Sequence, residues 1–172
     1  MSARRAALWI LLFAALGTAG GGLLSCGGAG PAFGPNQTLR GTVTRVVDGD
    51  TVHVRLDGRD QTVRYIGIDT PESVKPGTPV QCFAQAASAY NKRLVAGRAV
   101  VLRTGAESRD RYGRLLAYVY RRRDGLFVNA ALVRAGFATI LTIPPNVAHA
   151  GQFLALERAA RRLGRGLWHA CR

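Results

Sequence analysis

Three short clusters carry the residues whose types suit chemistry on a phosphate. They are Val46-Val47-Asp48-Gly49-Asp50-Thr51, Arg64-Tyr65-Ile66-Gly67-Ile68-Asp69-Thr70-Pro71-Glu72 and Asp110-Arg111-Tyr112-Gly113-Arg114. Carboxylates with no neighbouring His or Cys form a hard-oxygen set, suited to Ca²⁺ or Mg²⁺ and unsuited to zinc. Arginine presents a permanently charged planar fork that matches two phosphate oxygens at once. Carboxylates for a hard cation, joined by two arginines, point to phosphoryl chemistry. Surface ion pairs and a solvated Asp turn would account for each cluster singly, but not for all three together.

The elements around the clusters say how they are presented. Residues 39–56 alternate β-formers with polar residues and are interrupted at Asp48-Gly49-Asp50, which predicts a hairpin. Gly49 permits a tight turn that projects Asp48 or Asp50 toward neighbouring strands. Asp57-Gly58 is a second turn, and residues 61–68 form a third strand. Asp69 closes that apolar strand where packing needs no charge, and Pro71 fixes the path of the loop beyond. On a regular strand Arg64 and Ile66 share one face while Tyr65, Gly67 and Asp69 share the other, so regular geometry alone does not join Arg64 to Asp69.

Phe83, Ala87, Tyr90 and Leu94 recur at helical spacing within residues 80–96, and Gly97 ends that segment. Residues 99–103 and 115–120 read as two further strands around a polar loop, 104–114. Residues 128–135 form a short helix. A last helix over 148–163 sets Phe153, Leu156, Ala160 and Leu163 on one face, with Arg158, Arg161, Arg162 and Arg165 opposite. The order β-β-β-α-β-β-α-α fits an α+β fold, a five-stranded OB-fold β-barrel with three packed helices, better than a doubly wound sheet.

Charge sets the class of partner. The 172 residues carry 24 Lys and Arg against 10 Asp and Glu, and only two of the basic residues, Arg4 and Arg5, precede residue 26. Residues 26–172 therefore keep a net +12, a surface that attracts polyanions such as nucleic acid or anionic lipid. Arg4 and Arg5 lead an apolar run over residues 6–16, too short to span a bilayer comfortably but suited to a secretory signal over residues 1–25. Leu23-Leu24-Ser25-Cys26-Gly27 resembles a lipobox, in which Cys26 would be lipidated and anchor the chain to the membrane; cleavage within the Gly-rich stretch is the other route. Residues 26–38 read as a flexible tether and 39–172 as the domain.

With Cys26 as an anchor, Cys82 and Cys171 remain, an even number for an oxidising compartment. They are expected to pair, against the alternative of two buried free thiols. His53, His149 and His169 are scattered and are assigned no chemistry.

In order and spacing, the stretches VVDGDT, VRYIGIDTPES and DRYGR, followed by LAYVY and VNAALVRAGFA, strongly resemble the thermonuclease (staphylococcal-nuclease-like) family over about residues 40–170. Cys82 with the terminal Leu-Trp-His-Ala-Cys is similar to its exported bacterial branch, which supports the disulfide separately from the cysteine count.

The resemblance implies that Asp50, Asp69 and the Thr70 carbonyl hold one Ca²⁺ and that Asp48 lies beside it. It also implies that Glu72 activates or orients the attacking water and that Arg64 and Arg114 hold the phosphate. Lys75, Arg111 and Tyr112 are further candidates to touch substrate. The implied reaction is hydrolysis of DNA and RNA with little sequence preference, leaving 3′-phosphate ends. A monomer with no protein partner is expected, exported to the cell envelope as a lipoprotein or secreted. The alternative is a noncatalytic nucleic-acid-binding OB-fold lipoprotein. One segment departs from the family: Thr139-Ile140-Leu141-Thr142-Ile143 holds no aromatic residue where the best-known members carry tyrosines.

Overall fold

The computed structural model describes residues 33–73, 77 and 79–171. Cys26 and Lys75, with the whole of the expected signal segment, residues 1–25, lie outside the described residues. Five strands close into a barrel in the order β1-β2-β3-β6-β5: β1 (Thr38–Val46), β2 (Thr51–Leu56), β3 (Arg59–Tyr65), β5 (Ala99–Arg109) and β6 (Leu115–Arg121). β1 closes the ring on β5. All pairings are antiparallel except β3 with β6. Alternate residues face inward, as a period of two requires: Val52, Val54 and Leu56 from β2, Val63 and Tyr65 from β3, and Leu115, Ala117 and Val119 from β6 are all buried. This is the expected five-stranded OB-type barrel.

Outside the barrel lie α1 (Ala84–Val95), α2 (Val128–Arg134), α3 (Ala150–Arg162) and a single turn, α4 (Leu167–Ala170). Two three-residue strands, β4 (Gly67–Asp69) and β7 (Thr139–Leu141), pair in a separate antiparallel ladder that sets Asp69 opposite Thr139.

Several boundaries differ from the sequence reading. The third strand does not run through to Ile68. It breaks at Ile66, where Ile66 N–H donates to Ala117 O and the buried Asn129 donates to Ile66 O while accepting from Val119 N–H. The expected loop 104–114 is strand as far as Arg109, after a register shift against β6. The first helix starts at Ala84 rather than Val80, and its buried face is Ala84, Ala87, Ser88, Asn91 and Val95, with Tyr90 and Leu94 half-buried. Leu163 is 62% exposed, beyond the end of α3, and Glu157 is buried in its stead. Residues 33–37, expected within the tether, pack on β5: Phe33 is buried, and Thr104 Oγ1 accepts from Gln37 N–H and donates to Gly34 O.

Candidate active site

The hairpin from β1 to β2 carries Asp48 and Asp50 at one rim of the barrel. Asp48 Oδ1 accepts from the Asp50 N–H at 3.0 Å, closing the turn on itself. Gly49 is needed here for close approach, because a Cβ would stand 2.6 Å from Thr70 Oγ1. From the other side α1 braces the turn: Asn91, fully buried, donates to Asp48 O at 3.0 Å and accepts from the Tyr65 hydroxyl at 3.1 Å.

The break after β3 solves the problem of parity. Gly67 has φ +80, a left-handed conformation that a side chain disfavours, and a Cβ there would come within 2.6 Å of the Phe153 ring. Pivoting at this residue turns β4 out of the barrel and swings Asp69 back onto the face of Arg64. Arg64 then spans the kink: Nη1 donates to Ile68 O at 3.0 Å and pairs with Asp50 Oδ1 at 2.9 Å, while Nη2 pairs with Asp69 Oδ1 at 2.6 Å. The Arg64 and Asp50 side chains are 13% and 5% exposed and that of Asp69 is 53% exposed, so one pair is buried and the other is wet.

Asp50 is the most constrained group. Its Oδ2 accepts from the Thr70 N–H at 2.7 Å and the Thr70 hydroxyl at 3.0 Å, and its Oδ1 accepts from the Thr51 hydroxyl at 3.2 Å. Burial still pushes the carboxyl up to about 7; Arg64 opposes the rise, Asp48 adds to it, the Thr70 amide opposes it and Asp69 adds a little more.

Arg114 arrives from the turn between β5 and β6. Asp110 builds that turn, its Oδ1 accepting from the N–H groups of Tyr112 and Arg114 and its Oδ2 taking Arg114 Nε at 2.7 Å. That geometry leaves the outer guanidinium nitrogens for another anion.

Asp48, Asp50, Arg64, Asp69, Thr70, Glu72 and Arg114 all line one cavity of about 60 Å³. Arg111 and Tyr112 do not reach it. They border a neighbouring groove of about 500 Å³ that shares Arg64 and Arg114 and is flanked by Leu141 and Ile143. Tyr112 is 68% exposed, with the Arg111 guanidinium 4.7 Å from its ring centre. Cys82 and Cys171 form a disulfide. Asn91 was not anticipated from sequence; the available signal was a polar side chain in register with Ala84, Ala87 and Val95.

Among the described residues no three His, Cys, Asp or Glu side chains form a metal-binding group by themselves. A hard cation can take a small number of protein oxygens and complete its shell with water. The Asp50 and Asp69 carboxylates with the Thr70 carbonyl would be such a set, since all three residues line the same cavity. The donors fit Ca²⁺ or Mg²⁺ on chemistry.

A family model described as "Staphylococcal nuclease homologue" matches residues 62–170. The chain is 38% identical over 140 residues to a thermonuclease of Staphylococcus hyicus, covering 81% of this chain and 80% of that one. It is 39% identical over 144 residues to a thermonuclease of Staphylococcus intermedius, with 82% and 84% covered. It is also 38% identical over 144 residues to endonuclease YncB of Bacillus subtilis, covering 81% of this chain and 67% of that protein.

Proposed function

The chain belongs to the staphylococcal nuclease homologue family, and from that premise we propose that it is an exported endonuclease that needs a divalent cation, Ca²⁺ above all, to hydrolyse DNA and RNA. The observation that carries the reading is the gathering of three aspartates, Glu72 and two arginines around one small cavity. A noncatalytic binding platform has no use for that combination.

When bound, the cation supplies Lewis-acid polarisation of a phosphate oxygen. Asp50 and Asp69 hold it with the Thr70 carbonyl, and Asp48 fixes the turn on which Asp50 sits. Arg64 and Arg114 donate to the phosphate oxygens and offset the charge that builds on them as water attacks phosphorus in line. Glu72 orients that water and accepts its proton. Grip on phosphate without reading base edges gives little sequence preference. Cleavage of the P–O5′ bond leaves a 3′-phosphate end and a 5′-hydroxyl end, the departing O5′ taking a proton from solvent water. The positive leader, the apolar run over residues 6–16 and a domain that carries a disulfide support export, with Cys26 as the proposed lipid anchor.

The test incubates the purified protein with a single-stranded DNA oligonucleotide in CaCl₂ or in chelator. Shortening in Ca²⁺ alone is expected, with ends that a phosphatase must open before a polymerase extends them. Glu72→Gln is expected to cut turnover roughly 10²-fold. Cleavage undiminished in chelator would refute cation dependence, and a Glu72→Gln enzyme within a few-fold of the parent would refute the role of Glu72.

A further inference from the structure

Glu72 is tied by its backbone to a residue that the reaction above does not use. Gln81 N–H donates to Glu72 O at 3.0 Å, and Glu72 N–H donates to the Gln81 side-chain oxygen at 2.7 Å. The next residue, Cys82, is bonded to Cys171 at the end of α4. That end is itself held fast: Leu167 N–H donates to Gly136 O at 2.9 Å, and the backbones pass so closely that a Cβ on Gly136 would overlap the Arg165 carbonyl and one on Gly166 would overlap the Gly136 carbonyl. Hydrogen bond, peptide bond and disulfide thus form an unbroken path from Glu72 to the C-terminal turn. Gln81, Cys82, Cys171 and Leu167 also wall a cavity of about 280 Å³ shared with Asp69, Thr70 and Pro71.

We propose that Gln81 is a positioning residue for Glu72, held in register by the Cys82–Cys171 disulfide; the inference rests on the role given to Glu72 above. Clamping both the N–H and the C=O of Glu72 fixes the direction in which its side chain leaves the backbone. Gln81 is exposed, so water competes for its amide oxygen. A bond of that kind persists only if the chain behind it cannot drift, and the disulfide at the adjoining residue removes that freedom. Misplacing a reacting group by about 1 Å can cost up to about 10²-fold in rate.

The experiment measures kcat and KM of the full chain on a single-stranded DNA oligonucleotide in CaCl₂, with circular dichroism melts to keep every variant below its unfolding temperature. Gln81→Met keeps the length of the side chain and removes the acceptor, and kcat is expected to fall about tenfold or more with KM within about twofold. Gln81→Glu keeps the acceptor and is expected to stay within about threefold of the parent. The pair Cys82→Ser with Cys171→Ser is expected to lower kcat in the same direction, by less than the product of the two effects when combined with Gln81→Met. In a Glu72→Gln background, Gln81→Met should cost nothing more. If parent and Glu72→Gln cleave equally, the role of Glu72 itself falls. If Glu72→Gln is slow but Gln81→Met matches the parent, or slows Glu72→Gln by the factor seen in the parent, the positioning role alone is overturned.

Discussion

Replacing Asn91 by Ala tests whether α1 sets the turn that presents Asp48 and Asp50. The Tyr65 hydroxyl donates to Asn91 Oδ1 from a residue only 2% exposed, so the truncation leaves it with no acceptor and no route to water. An orphaned buried hydroxyl costs about 1–3 kcal/mol. The Asp48 carbonyl loses its 3.0 Å bond from Asn91 Nδ2 but sits in a half-exposed turn, where water can replace much of it, at about 0.5–1.5 kcal/mol. The space vacated by the amide adds roughly 1 kcal/mol. The sum is about 2.5–5.5 kcal/mol, a large share of the usual stability of one domain.

Urea unfolding followed by circular dichroism in chelator measures it, with Tyr65→Phe as the partner in a double-mutant cycle. Tyr65→Phe alone should cost about 1–2 kcal/mol, and the double variant should fall short of the sum by a similar amount, because the orphaned hydroxyl is then gone. At a temperature where Asn91→Ala stays folded, its turnover should still be down about tenfold, since the Asp50 turn has lost its brace. Stability within about 1 kcal/mol of the parent, or strictly additive costs, would refute the account.

Three further outcomes follow from the site. In chelator, stability should fall as pH rises from about 4 toward about 7 and then level. The folded Asp50 keeps a proton, at a value near 7, that the unfolded chain releases near 3.8, and the ceiling on the loss is of order 4 kcal/mol. The Asp60 and Asp124 carboxyls are held low by Arg55 and Arg121 and finish titrating below that window, so a flat or rising urea midpoint across it would contradict the burial of Asp50. Gly67→Ala should destabilise by about 2–4 kcal/mol, by forcing a side chain into φ +80 and against Phe153, and should lower the Ca²⁺ affinity measured by calorimetry. Arg64→Lys should lose about 10²-fold in turnover, since one ammonium cannot bridge Asp50 and Asp69 and still offer a fork to phosphate; kinetics equal to the parent would remove Arg64 from the site.

What the sequence disclosed was local. The Asp48-Gly49-Asp50 turn, the carboxylate ending an apolar strand and the Asp110 turn that carries Arg114 are each visible within a few residues, because turn chemistry and strand alternation are short-range effects. What stayed hidden was decided by partners far along the chain. Gly67 reads as an ordinary strand glycine until Phe153 is known to press on it from 86 residues away. β7 has three residues and forms only because β4 offers it an edge. Residues 104–109 look like a polar loop because Thr104-Gly105-Ala106-Glu107-Ser108-Arg109 lacks the apolar alternation of a strand, yet the strand continues through them. Asn91 and Gln81 are polar residues that hold backbone atoms of Asp48 and Glu72, and no pattern of side-chain types encodes a backbone partner.

The distribution of charge gives the site its logic. Of ten acidic residues in the chain, Asp48, Asp50, Asp69 and Glu72 line a single cavity, while 22 basic residues face six acidic ones over the rest. A polyanion would therefore be drawn to the molecule as a whole and repelled at the proposed reacting centre. Two guanidinium groups alone cannot reverse that repulsion, since Arg64 is already shared between Asp50 and Asp69 and Arg114 is anchored by Asp110. The local deficit is what a divalent ion would fill. On the proposed function, attraction and chemistry would respond to different variables: added salt is expected to weaken the hold on the polymer with little effect on a bound phosphate, whereas removing the ion is expected to leave the hold intact and stop turnover.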